Sequence, residues 1–194
     1  MTTQLRYFRR LQAGLEVKPF LDGIDAVADA WSANAERQNK IRVQRESFFI
    51  PLRGLRKSAI NGRARRDVHE SRWTTGSAQY PEFRFFLIDF IDQYGGTLGR
   101  AKIVRLPAGK RVYPHIDRGE YYRRRDRYHF VLQSPSGSWL KAGDEEVRMR
   151  EGELWWFDNK QMHEAHNDGD GERIHLIFDV LPTVDMAEGA GHAA

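Results

Sequence analysis

The sequence predicts a mainly β fold, a sandwich or barrel with flanking helices, and two observations carry that expectation. From Gly99 onward, short apolar and β-branched runs recur at close intervals, separated by turns rich in Gly, Pro, Asn and Asp, the punctuation of an antiparallel sandwich or barrel. Ahead of them, two segments carry apolar residues at helical spacing instead. The chain has 194 residues, 40% of them hydrophobic and 12% aromatic. That is enough to bury one core, and too apolar for a disordered chain.

In chain order, a first helix is expected over 18–34, where Phe20, Leu21, Ile24, Val27, Ala28 and Trp31 share a face. Residues 46–52, rich in Phe and Ile, read as a strand. The basic stretch 54–77, with its Gly and Ser, reads as a long loop or irregular excursion. Pro81 in a first turn and Gly95-Gly96 as a stop bracket a second helix built on Phe83, Phe86, Leu87, Phe90, Ile91 and Tyr94. Strands follow at 101–106, 111–115, 128–133, 139–142, 145–150, 153–157 and 174–181, with Pro107-Ala108-Gly109 and Ser134-Pro135-Ser136-Gly137 as turns. This divides the chain into a helical and mixed extension (1–98) that shapes a substrate site, a β core (99–182) and a flexible tail (183–194).

Composition excludes several chemistries. There are no cysteines, so disulfides, thiolate metal sites, iron–sulfur clusters and cysteine nucleophiles are ruled out. A metal would need nitrogen and oxygen ligands. No apolar run approaches the roughly 20 residues that span a bilayer, and residues 1–12 lack the apolar stretch of a secretory signal. A soluble cytoplasmic protein without a membrane partner is expected. The formal charge is +4, yet residues 36–66 hold ten basic side chains, from Arg37 to Arg66, against Glu36 and Glu46. That segment is either a solvated surface or an attractor of acidic partners, nucleic acid being the less favoured one.

Chemistry concentrates in the second half. Tyr113-Pro114-His115-Ile116-Asp117 places a histidine and a carboxylate two apart, the spacing that shares one face of a strand. Gln161-Met162-His163-Glu164-Ala165-His166 offers two further imidazoles, 46 residues after Asp117 for the first, an interval suited to strands meeting across a barrel. Two imidazoles and one carboxylate leave three coordination positions open, as a non-haem Fe(II) needs to take a bidentate 2-oxo acid and dioxygen. Arg173, at the head of the apolar run Ile174-His175-Leu176-Ile177-Phe178, is a cation entering an apolar interior. It would match the distal carboxylate of such an acid. Arg127 and His129 repeat the two-residue spacing and face a co-substrate, a substrate or a nearby acid.

These stretches carry a resemblance. Arg105-Leu106-Pro107-Ala108-Gly109, His115-Ile116-Asp117, Arg127-Tyr128-His129, Gly152-Glu153-Leu154-Trp155-Trp156-Phe157-Asp158, His163-Glu164-Ala165-His166-Asn167 and Arg173 to Val180 appear in the order found in aspartyl/asparaginyl β-hydroxylase-like dioxygenases. Residues 100–182 are similar to that family, which uses Fe(II) and 2-oxoglutarate. The resemblance implies a double-stranded β-helix, a jelly-roll, cupin-like core. It places His115 and His163 as metal ligands, with Asp117 as the third. Arg173 falls at the distal carboxylate of 2-oxoglutarate, and Arg127 and His129 at co-substrate or substrate. His166 is a neighbour rather than a ligand. Some members lack the acid, whereas others, including free-proline hydroxylases, keep His-x-Asp. The expected activity is hydroxylation of an unactivated carbon of an amino acid, peptidyl Asp/Asn or small anionic substrate, with O2 consumed and succinate and CO2 released. The basic run Tyr122-Arg123-Arg124-Arg125-Asp126-Arg127 favours an anion. Two rivals are a cupin-like metalloenzyme that does not use 2-oxoglutarate, and a nucleic-acid-binding module built on the basic segment.

Overall fold

The alternating runs resolve into two antiparallel sheets facing each other. The computed structural model describes residues 5–32, 42–60 and 63–183, with 42, 56–60 and 63–69 given by backbone alone. Its strands are β1 (Phe8–Gln12), β2 (Phe48–Ile60), β3 (Arg63–Trp73), β4 (Thr97–Leu106), β5 (Lys110–His115), β6 (Asp126–Gln133), β7 (Ser138–Ala142), β8 (Glu145–Val147), β9 (Leu154–Phe157), β10 (His163–Asn167) and β11 (Arg173–Leu181). The larger sheet runs β1-β9-β6-β11-β4-β2-β3 and the smaller β5-β10-β7-β8. Helices α1 (Lys18–Asp25) and α2 (Pro81–Tyr94) belong with the large sheet, and a short α3 (Glu120–Arg123) follows β5.

The pleat sorts side chains between two environments. On β11, Ile174, Leu176, Phe178 and Val180 join the core under the helices. Arg173, His175, Ile177 and Asp179 therefore face the opposite sheet. On β6, Tyr128, Phe130 and Leu132 lie in the helix-covered core, and Val131 lies in the core between the sheets. Because both faces are covered, these strands read as nearly continuous apolar runs rather than as strict alternation. The helix-side core is aromatic. Phe86 stacks on Phe130 with centroids 4.7 Å apart, and Phe20 meets Phe83 and Phe130 edge-on at 5.1 Å.

Helix α2 forms where Pro81 and Gly95 predict it, with Phe83, Leu87 and Phe90 buried. Three expectations need correction. The first helix stops at Asp25, and residues 26–32 are turns in which Asp29 has φ 54°. Gly23 weakens this segment as a helix, and short polar side chains compete for its backbone; Ser32 Oγ donates to the Asp29 carbonyl. Ile24, Val27, Ala30 and Trp31 still pack on the core, so the apolar spacing survives without a continuous helix. The excursion expected at 54–77 is instead the long hairpin β2–β3, in which Ile60 pairs with Arg63. The two intervening residues are Asn61 and Gly62, the strongest short hairpin signal a sequence carries, here masked by the density of charge. The stretch 145–150 is a strand only to Val147.

Three of the seven strands of the large sheet, β1, β2 and β3, come from the first 98 residues. Of the basic segment, Arg37 and Lys40 lie outside the described residues, as does the tail from 184 on. Arg53 donates to the carbonyls of Gly99, Leu98 and Ser71, and its guanidinium lies over Trp73. Among the described residues, no helix is long and apolar enough to cross a membrane.

Buried Glu153 ties β1 to the core. Its carboxylate accepts from Arg10 Nη1 at 2.8 Å, the Arg150 amide at 2.7 Å and the Trp155 indole at 2.8 Å. Burial pushes its pKa up, but these donors outweigh burial and hold it below the usual range. The stability they contribute is present above the ordinary carboxylate range and lost as pH falls through the depressed value. Glu153→Gln is expected to lower unfolding stability by about 1.5–3 kcal/mol at neutral pH, with a smaller deficit in acid. Urea titrations at both pH values check this.

Candidate metal and co-substrate site

Strands β5 and β10 are neighbours in the small sheet, and His115 pairs directly with His163. The two rings lie on one face with centroids 4.2 Å apart. The chain thus brings them together across one antiparallel pair, not across a barrel. Each ring is oriented by the backbone two residues earlier, His115 Nδ1 lying 2.7 Å from the Tyr113 carbonyl and His163 Nδ1 2.9 Å from that of Gln161. A carbonyl only accepts, so each Nδ1 carries the proton and each Nε2 keeps its lone pair. The His163 pKa is lowered to about 4, by burial first and then by His115.

Asp117 lies beyond the end of β5, so the pleat of that strand does not aim it. Its amide donates to the Asn159 carbonyl at 3.3 Å, and Asn159 Nδ2 donates to its Oδ2 at 3.1 Å. Arg127 Nη1 donates to the same oxygen. Oδ1 is left facing His115 Nε2 at 3.9 Å. Ligand atoms of His115, Asp117 and His163 lie within 4.8 Å of one another. Burial alone would raise the Asp117 pKa; Arg127, His163, Asn159 and His115 lower it instead.

Arg127 is buried and set between two carboxylates. Nε and Nη2 donate to Asp179 at 2.8 and 3.3 Å while Nη1 takes Asp117. Burial opposes its charge, yet Asp179 and Asp117 raise its pKa overall. Asn159 and Asp179 escaped the sequence reading. Asp179 was legible only as one position of the alternation on β11, and Asn159 only as part of the polar turn after Phe157. Arg127→Ala would leave two buried carboxylates without their cation and is expected to cost about 3–5 kcal/mol. A loss below about 1 kcal/mol by urea unfolding would show the carboxylates to be independent of it.

Deeper between the sheets, Arg173 lines the same cavity as His115, His163, His129, Phe157 and Ile177. It is 3% exposed, and its Nη2 has no hydrogen-bond partner among the described residues. Burial lowers its pKa to about 10, so it is charged at neutral pH. His166 lies apart from this group: it stacks on Trp139 at 4.1 Å, near Glu164 and Asp168.

The donors suit a divalent ion of borderline hardness, with three positions open for further ligands. The Arg173 guanidinium, whose Nη2 is unpartnered among the described residues, suits a carboxylate. The fold is shared with solved oxygenases. An oxidoreductase of the 2OG-Fe(II) oxygenase family from Burkholderia pseudomallei superposes with TM-score 0.53 at 12% identity, over 88% of this chain and 93% of that one. The viral collagen prolyl hydroxylase from Paramecium Bursaria Chlorella virus-1, in its 2OG complex, superposes with TM-score 0.52 at 11% identity, over 92% and 97%. Sequence comparison with curated proteins finds no match. Residues 61–182, more than half of the chain, match the aspartyl/asparaginyl beta-hydroxylase family model, and the chain belongs to that family. It is a 2-oxoglutarate-dependent non-haem iron dioxygenase of hydroxylase type, with Fe(II), 2-oxoglutarate and O2 as its reagents.

Proposed function

We propose that His115, Asp117 and His163 hold the Fe(II), that Arg173 anchors the distal carboxylate of 2-oxoglutarate, and that the substrate is an amino acid, peptidyl Asp/Asn or related small anion. The observation that carries this reading is the buried guanidinium of Arg173, unpartnered at Nη2, in the cavity that the two histidines line. A desolvated cation without a counter-ion is costly, and a bound carboxylate removes that cost.

Bound iron would supply the oxidising chemistry, activating O2 as 2-oxoglutarate is converted to succinate and CO2 and one oxygen atom enters the substrate. The protein's own groups prepare that step. His115 and His163 offer Nε2 because their Nδ1 protons are held by backbone carbonyls. Arg127 and Asn159 hold Asp117 Oδ2, which leaves Oδ1 for the metal. Phe157, Val104, Leu140 and Ile177 wall the cavity with apolar surface, and exclusion of water strengthens each polar contact inside. His129, whose pKa burial pushes well below its usual value, serves the co-substrate as a neutral polar group.

The first 98 residues take part in this reading as the shaper of the substrate site, with 99–182 as the catalytic core. Gln44 and Ser47 line the cavity, and Glu46 clips that segment to β5 by accepting from the Arg111 amide and the Tyr113 hydroxyl. The exposed Arg118, Arg123 and Arg124 follow closely on the metal motif and support an anionic substrate. A cytoplasmic setting agrees with a chain that has no cysteines.

The test is turnover of protein reconstituted anaerobically with Fe(II), then given O2, 2-oxoglutarate and a panel of free amino acids, including proline, and Asp- or Asn-containing peptides. Succinate formation that rises with one class, together with a product heavier by one oxygen, is the expected result. Stimulation by none of them, with strong stimulation by a neutral or cationic compound, would contradict the substrate class.

A further inference from the structure

Two buried histidines stand behind the cavity and are not used as ligands. His129 on β6 is 3% exposed, and His175 on β11 is 1% exposed. Their Nδ1 atoms are 3.2 Å apart, with the rings nearly perpendicular. Two bare nitrogens would repel, so one Nδ1 donates and the other accepts. The pair therefore has two neutral arrangements, and each sets whether Nε2 of His129, the nitrogen turned from His175, carries a proton or a lone pair at the cavity that His129 lines.

The surroundings discriminate between them. His175 Nε2 is buried without a hydrogen-bond partner among the described residues. If His129 donated, His175 would carry its proton on that Nε2, a buried N–H with no acceptor. If His175 donates, Nε2 is a bare lone pair. An unsatisfied buried N–H is the rarer condition in folded proteins. Arg173 stands two residues earlier on the same face of β11, and its positive charge acts on both rings. A cation tolerates a lone pair and opposes a second N–H dipole. Both considerations select the same arrangement.

We infer that His175 is a positioning residue that locks His129 in its Nε2–H form, so that a neutral N–H donor rather than a lone pair faces the bound 2-oxoglutarate. The inference rests on the reading of the cavity as the 2-oxoglutarate site. In this arrangement Arg173 contributes charge to the co-substrate and His129 contributes an uncharged hydrogen bond. A lone pair at that place would repel a carboxylate.

Long-range proton–nitrogen NMR spectra of the metal-free protein test the lock directly, with the rings assigned from His129→Gln and His175→Leu. His129 is expected to be protonated on Nε2 and His175 on Nδ1; the reverse pattern overturns the inference. On the zinc-loaded protein, His175→Leu should weaken calorimetric binding of 2-oxoglutarate about tenfold, the value of one lost hydrogen bond, with zinc affinity unchanged. His175→Asn, whose amide can donate from the δ position, should recover most of that loss. Unchanged 2-oxoglutarate affinity in His175→Leu, or an Asn variant no better than Leu, overturns the inference. Should the Leu variant fail to fold, the wild-type spectra and the Asn variant still decide. The spectra need neither metal nor co-substrate. Failure of the zinc-loaded wild type to bind 2-oxoglutarate would therefore remove the cavity reading and leave the tautomer result standing.

Discussion

His163→Ala is expected to abolish tight binding of a divalent ion and to lower succinate formation by on the order of 10³-fold or more. Changes to groups that merely support a ligand cost 10–100-fold in metal affinity or activity, and His163 is proposed as a ligand itself. Its loss leaves one imidazole and one carboxylate, and removes a ring held against His115 at 4.2 Å. The fold should survive, because among the described residues the His163 side chain makes one hydrogen bond, to the Gln161 carbonyl, and β10 keeps its ladder to β7. Metal titration by calorimetry and a 2-oxoglutarate turnover assay on the same preparation check both halves. A folded His163→Ala protein that binds iron like the wild type would remove this residue from the metal site.

Arg173→Ala is expected to weaken the enzyme's hold on 2-oxoglutarate and so tests the proposed anchor. Under the proposed reading the guanidinium meets a carboxylate that has left water, a charge-assisted pair of more than ordinary strength. Its removal should raise KM for 2-oxoglutarate by about 100-fold, equivalent to roughly 2.7 kcal/mol, with a smaller effect on kcat at saturation. Arg173→Lys should recover only part, because an ammonium offers a point charge and not a planar fork. The Ala variant should also be no less stable than the wild type in urea without ligands, since the charge it removes is buried and its Nη2 unpartnered. Full activity with an unchanged KM for 2-oxoglutarate in Arg173→Ala would remove this residue from the co-substrate site.

How much of this was legible beforehand differs between elements for physical reasons. The strands β4 to β9 and β11 were readable because Gly and Pro punctuate them and their runs are short, whereas β10, His163-Glu164-Ala165-His166-Asn167, has no apolar run to mark it. Helix α2 was readable because Pro81 and Gly95 close both ends. The hairpin β2–β3 was hidden because its residues are charged, and charge density reads as solvated loop unless the Asn61-Gly62 signal is given more weight than composition. The first helix was overextended because Val27, Ala30 and Trp31 keep a helical spacing while packing from turns. In the site, spacing paired His115 with Asp117 and left His163 and His166 as candidates between which the family resemblance chose, and the device that aims Asp117 was not legible at all. Arg127 reaches it from β6 and Asn159 from the loop after β9, and nothing in one dimension links them. Arg127 shows the same limit. Its spacing from His129 placed both on one face, whereas its commitment to Asp179 and Asp117 depends on the register of β6 against β11.

Everything proposed for catalysis depends on two imidazoles and a carboxylate from separate stretches taking one ion while three positions stay open. Anomalous diffraction from crystals soaked with zinc, a redox-inert stand-in for Fe(II), and 2-oxoglutarate measures this directly. The account predicts a single strong peak about 2.0–2.2 Å from His115 Nε2, Asp117 Oδ1 and His163 Nε2, with the 2-oxo acid completing the shell and its far carboxylate on Arg173. A peak held by other residues, or zinc on the histidines with the 2-oxo acid pointing away from Arg173, would contradict it.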